Sequence, residues 1–172
     1  MLKLSAALIN QPVLSLRTGG PIATVVAVLV NPNNLSIAGL YCKRSPRDKD
    51  ATILLPQDIR EWIAQGFVVN DLDSLSPPED LVRLKSVMAI DYQLLGKPVY
   101  TKNKRRLGKV NDFAVDDATL SIQKLYIGQN IVKNFGGTGF SVDRGQVIEL
   151  NDRRIIIKDL LQGVPQAAPL PA

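Results

Sequence analysis

Val30-Asn-Pro-Asn-Asn-Leu-Ser-Ile-Ala-Gly-Leu-Tyr-Cys42 aligns without gaps on Val115-Asp-Asp-Ala-Thr-Leu-Ser-Ile-Gln-Lys-Leu-Tyr-Ile127, at an offset of 85 residues. Six positions are identical: Val30/Val115, Leu35/Leu120, Ser36/Ser121, Ile37/Ile122, Leu40/Leu125 and Tyr41/Tyr126. Upstream, Gln11-Pro12-Val13 matches Lys97-Pro98-Val99 at an offset of 86, so one residue is inserted between the two anchors, around Thr18 to Pro21. A hairpin tolerates an insertion in its turn, and self-similarity at a long fixed period marks a repeated structural unit. The expected organisation is a first domain over residues 1–75, a helical linker over 76–88, a second domain over 89–160, and a disordered tail over 161–172 that carries Pro165, Pro169 and Pro171.

Within each copy the pattern is β. Pro12 to Leu16 and Pro98 to Thr101 open as short strands with Pro first, where a missing ladder donor is tolerated. Thr24 to Val30 and Lys109 to Val115 read as long strands rich in β-branched residues, followed by the Asx-rich links Asn31 to Asn34 and Asp116 to Thr119. Leu35 to Cys42 and Leu120 to Ile127 return as partner strands. Thr52 to Leu55 and Gly66 to Asn70 add to copy one, as Gly139 to Val142 and Arg154 to Lys158 add to copy two. Five or six short strands in so small a domain predict a barrel, because closure removes exposed edges. Pro56 to Gln65 reads as a short helix or 3₁₀ segment with Ile59, Trp62 and Ile63 on one face and Trp62 as a core plug. Ser76 to Met88 has a capping Ser, Pro at the first helical position, acids early and bases late, which predicts the helical linker.

Composition narrows the chemistry. The 172 residues carry 21 Lys and Arg, 16 Asp and Glu, no His and one Cys. The absence of His removes the usual proton shuttle and the commonest transition-metal ligand, and a lone Cys42 excludes an internal disulfide or a cysteine zinc site. Cys42 on an apolar strand reads as a small buried hydrophobe. The excess positive charge lies late: residues 1–90 hold 9 bases and 8 acids, residues 91–172 hold 12 bases and 8 acids. Ile22 to Val30, the most apolar run, is nine residues long, against the ~20 a membrane helix needs. Met1 to Ile9 is cut off by Asn10, Gln11 and Pro12 before a signal-peptide core can develop. The expectation is a soluble, cytoplasmic protein with no integral membrane segment.

Leu95-Gly-Lys-Pro-Val-Tyr-Thr-Lys-Asn-Lys-Arg-Arg-Leu-Gly-Lys-Val-Asn-Asp-Phe-Ala-Val-Asp116, followed by Leu125-Tyr126, resembles the PRC-barrel domain. That module occurs in the photosynthetic reaction-centre H subunit and in the C-terminal half of the ribosome maturation factor RimM. Copy two matches the family pattern closely; copy one keeps Pro12-Val13 and the hairpin but has Asn10-Gln11 for Gly-Lys and Ala23 where copy two has Gly108. The resemblance spans about residues 8–160 as two modules. It implies a mainly β fold of two small PRC-type barrels in tandem, acting as protein-interaction or assembly modules, with no catalytic residues or cofactor to carry over.

Lys97, Lys102, Lys104, Arg105, Arg106 and Lys109 put six bases and no acid into thirteen residues at the first hairpin of copy two. They are candidates for contact with a phosphate or an acidic protein; the plain alternative is a solvated turn. Nucleic acid would also want stacking aromatics, and only Tyr92 and Tyr100 lie near. Asn134 to Ser141 is glycine-rich but lacks the Lys-Ser or Lys-Thr of a phosphate loop. Phe135 and Phe140 flanking it are candidates for a loop interface, with burial under the barrel end as the equal alternative. The leading functional expectation is a non-enzymatic scaffold with a protein partner. The second is an RNA- or ribosome-associated maturation factor that uses the basic hairpin. The less polar hairpin of copy one suggests packing on copy two or on a second chain, which leaves a homo-oligomer open.

Overall fold

The computed structural model describes residues 1–128 and 139–158. The expected disordered tail, residues 161–172, lies outside them, as does Phe135. The described residues are mainly β, arranged as two sheets with one short α-helix.

The chain separates into two compact units that are not contiguous in sequence. One holds Met1–Gln93 together with Ala114–Gln123; the other holds Leu94–Phe113 and the chain from Lys124 on. In the first, β1 (Leu2–Leu4), β2 (Pro12–Ser15), β3 (Pro21–Asn31), β4 (Ser36–Lys43), β5 (Thr52–Leu54), β6 (Glu61–Ile63), β7 (Gly66–Val69) and β8 (Leu75–Ser76) follow in order. Seven of these form a sheet of order β6-β7-β2-β3-β4-β5-β8. After α1 (Lys85–Ile90) come β9 (Pro98–Thr101), β10 (Arg106–Asp116), β11 (Ile122–Gly128), β12 (Phe140–Asp143), β13 (Val147–Leu150) and β14 (Ile155–Ile157). The second sheet runs β12-β11-β10-β9-β14-β13, with β1 on the 114–116 end of β10.

The same local arrangement occurs twice. Val13, Leu14 and Ser15 pair in parallel with Phe67, Val68 and Val69, while Val99, Tyr100 and Thr101 pair in parallel with Ile155, Ile156 and Ile157. Asn10 N–H donates to Val25 O at 2.9 Å, and Gly96 N–H to Val110 O at 2.7 Å. Asn10 and Gly96 both have positive φ, 63° and 85°. Asn is among the few non-glycine residues that adopt this conformation readily, so the turn at residue 10 forms without a glycine. Ser15 and Thr101, the equivalent buried polar residues, each turn a hydroxyl oxygen to the next turn and accept from Thr18 N–H and Arg105 N–H.

The cores are mostly aliphatic. Val13, Leu40, Ile53 and Phe67 are fully buried in the first unit; Val99, Leu125, Ile155 and Ile157 are fully buried in the second. Each such side chain stabilises the fold by about 1.5–3 kcal/mol through removal from water. Cys42 is also fully buried, and burial pushes its thiol up to about 12.

Three expectations require correction. The sheets form open strand paths among the described residues, not closed barrels; their edges are blunted by brevity, β6 being three residues and β8 two. Pro56–Asp58 is a single 3₁₀ turn, and Ile59 is already extended at φ −80°, ψ 120°. Trp62 therefore sits on β6, not on a helix, and is half-buried with its ring stacked on Phe67 at 4.7 Å. One turn is too short a nucleus to propagate when strand pairing competes. Ser76 does not cap a helix: it pairs with Ile53 in β8, and the linker is two 3₁₀ turns, Pro78–Asp80 and Val82–Leu84, before α1.

Candidate docking surface

The turn from β9 to β10 carries the basic cluster. Thr101 N–H donates to Arg105 O at 2.9 Å, Lys104 N–H donates to Thr101 O at 3.0 Å, and Lys104 adopts φ 65°. These bonds, with Arg105 N–H on the buried Thr101 hydroxyl at 3.2 Å, fix the backbone that bears Lys102, Lys104, Arg105 and Arg106. All four side chains are exposed, as is Lys109 further along β10. None of the five lies within ion-pair distance of a described carboxylate. Unpaired exposed cations on a fixed hairpin project a positive field that neighbouring acids do not cancel.

Lys97, the sixth predicted residue, is half-buried and differs in role. Its Nζ donates to Asp152 O at 2.8 Å, which ties the start of β9 to the turn between β13 and β14. In that turn Asn151 Oδ1 accepts from the N–H of both Arg153 and Arg154, at 2.9 and 3.0 Å. Asn151 N–H donates to Arg154 O at 3.0 Å. Tyr100 and Lys104 from one turn and Asn151, Asp152, Arg153 and Arg154 from the other line a concavity of about 630 Å³. The structure thus brings one of the predicted bases, Lys104, together with two that the sequence reading did not select. The Asn-Asp-Arg-Arg run, an Asx-turn former followed by two bases, was the available signal. What brings it beside Lys104 is the parallel pairing of β14 with β9, far apart in sequence.

Phe140 is half-buried at the start of β12, opposite Ile127. Two other concavities lie in the first unit. The larger, of about 760 Å³, mixes Arg17 and Arg44 with Asp48, Asp71 and Asp73. Two of its three acids are engaged in loop structure: Asp48 Oδ2 accepts from Arg44 and Ser45 N–H, and Asp71 Oδ1 from Asp73 N–H. The other, of about 410 Å³, includes Trp62, Phe67 and residues 117–120. Lys3 Nζ lies 4.2 Å from the Trp62 ring centroid, a cation–π contact. Neither concentrates one sign of charge as the second unit does.

Residues 88–160 match the family described as the PRC-barrel domain. No curated protein matches the chain. Among the described residues, no helix is long and apolar enough to cross a membrane.

Proposed function

We propose that the PRC-barrel domain at residues 88–160 works as a non-enzymatic interaction module, docking a partner protein through the basic hairpin of β9 and β10. The chain before it is a second copy of the same module. The common parallel strand pairing and the matched Asn10 and Gly96 turns support that part of the reading. The observation that carries the docking role is the set Lys102, Lys104, Arg105, Arg106 and Lys109, exposed on a hydrogen-bonded turn and in no ion pair with a described carboxylate. Such a surface speeds encounter with an acidic partner and selects against basic ones.

An RNA-linked role is the second reading, favoured by Arg153 and Arg154 joining Lys104 beside Tyr100, since a base can stack on an aromatic ring while cations hold its phosphates. Capture of partners from native lysate, with and without RNase, separates the two. The docking reading expects a discrete protein retained after RNase and lost when Lys104, Arg105 and Arg106 are changed to Glu. Capture that disappears on RNase treatment contradicts it and promotes the RNA reading.

A further inference from the structure

We propose that the concavity between the β9–β10 and β13–β14 turns is a phosphate-binding site that recognises a phosphorylated side chain of the partner. This rests on the docking reading above and assigns the chemistry of its contact. Lys104 enters from one turn, Arg153 and Arg154 from the other. The backbone beneath the two arginines is pinned twice, by Asn151 Oδ1 on both N–H groups and by Lys97 Nζ on Asp152 O. Arg153 and Arg154 are exposed and in no ion pair with a described carboxylate.

Two acids are close: Asp152 lines the concavity, and Glu149 Oε1 accepts from Asn151 Nδ2 at 2.9 Å. The three cations outnumber Asp152 at the lining itself, which leaves a positive balance suited to a dianion. Guanidinium groups pair with phosphate oxygens in parallel hydrogen bonds, and a phosphate ester offers three acceptor oxygens and nearly two charges where a carboxylate offers two oxygens and one charge. A nucleic-acid strand would need a groove with successive stacking rings, whereas Tyr100 is the one aromatic residue at the lining. A single phosphorylated side chain fits that inventory better.

The test is titration of the full chain, followed by NMR, with inorganic phosphate, N-acetyl-phosphoserine amide, its serine counterpart and a short oligouridylate. The expected result is saturable binding of the two phosphates centred on Tyr100, Lys104 and residues 151–154, with no response to the serine compound. R153Q/R154Q should weaken binding by about tenfold or more, while K158Q changes it by less than about twofold. Because the chain has no His, tightening between about pH 5.5 and 7.5 would follow the ligand's second ionisation near 6. Absence of saturation, or equal weakening in K158Q, would overturn the site. Oligouridylate binding that phosphoserine amide does not compete would overturn its assignment to a phosphorylated protein. Phosphatase treatment of the lysate tells the two proposals apart. Capture that survives it, yet is still lost in K104E/R105E/R106E, sinks the phosphate inference and leaves the docking surface standing.

Discussion

Glycine at position 96 and glycine at position 108 hold positive φ for different reasons. At Gly96, φ is 85° and a Cβ would meet nothing within 4 Å, so only the backbone conformation demands the residue. At Gly108, φ is 144° and a Cβ would press on the Gly128 carbonyl. Gly96→Ala should therefore cost about 1–2 kcal/mol and Gly96→Asn less, while Gly108→Ala should cost about 1–3 kcal/mol from strain alone and more with the clash. Denaturant melts of the three variants check the order; a Gly108→Ala protein as stable as Gly96→Asn would contradict it. Asp116 offers a pH-dependent test. Its carboxylate is held below the usual range, chiefly by the N–H of Thr119 and then that of Ala118. A depressed folded-state value means the contribution is complete above the ordinary carboxylate range and is lost as pH falls through the lowered value. Protection of the Ala118 and Thr119 amides against exchange, taken relative to the intrinsic rate at each pH, should fall on acidification, and Asp116→Asn should flatten that dependence. Unchanged pH dependence in the variant would refute the assignment. These demands were partly legible: Gly96 stood in a recognisable pattern, but that Asn10 takes the same φ became visible only from the backbone.

Among the elements, the β9–β10 hairpin separates charge from stability. Its turn is held by Thr101 and by backbone bonds, none of which uses a basic side chain. Substituting Lys104, Arg105 and Arg106 with Glu should leave the unfolding free energy within about 0.5 kcal/mol of the parent at each position while abolishing capture. Parallel melting and capture measurements check this; a variant that unfolds much earlier would show the bases to be structural. Strand positions were readable from β-branched runs and Asx turns, as for Pro98–Thr101, found where expected. β6 was misread because Ile59, Trp62 and Ile63 satisfy a helical spacing equally well in so short a segment. Arg153 and Arg154 were missed because spacing along the chain says nothing of the parallel pairing that carries them to Lys104.

For the molecule as a whole, the first unit is assembled from two separated stretches of chain. Residues 114–123 contribute Leu120 O, which accepts from Ile37 N–H at 2.9 Å, and Ile122 N–H, which donates to Leu35 O at 2.9 Å. Leu35 and Leu120 are the equivalent residues of the repeat and share positive φ, 51° and 56°. A fragment of residues 1–93 lacks these partners, so its Ile37 amide should exchange faster than in the full chain. Equal protection would show the 1–93 stretch to be self-sufficient. The repeat that was legible in the sequence therefore located the matching residues, but not that they hydrogen-bond one another. The central claim is that the second unit meets its partner through the basic hairpin. Its most direct measurement places a photo-crosslinking residue in cells at Lys102, and at Leu16 as an exposed position in the first unit. A discrete protein adduct from position 102, absent from position 16 and lost in the K104E/R105E/R106E background, is the predicted result; adducts only from position 16, or adducts from 102 indifferent to charge reversal, would contradict it.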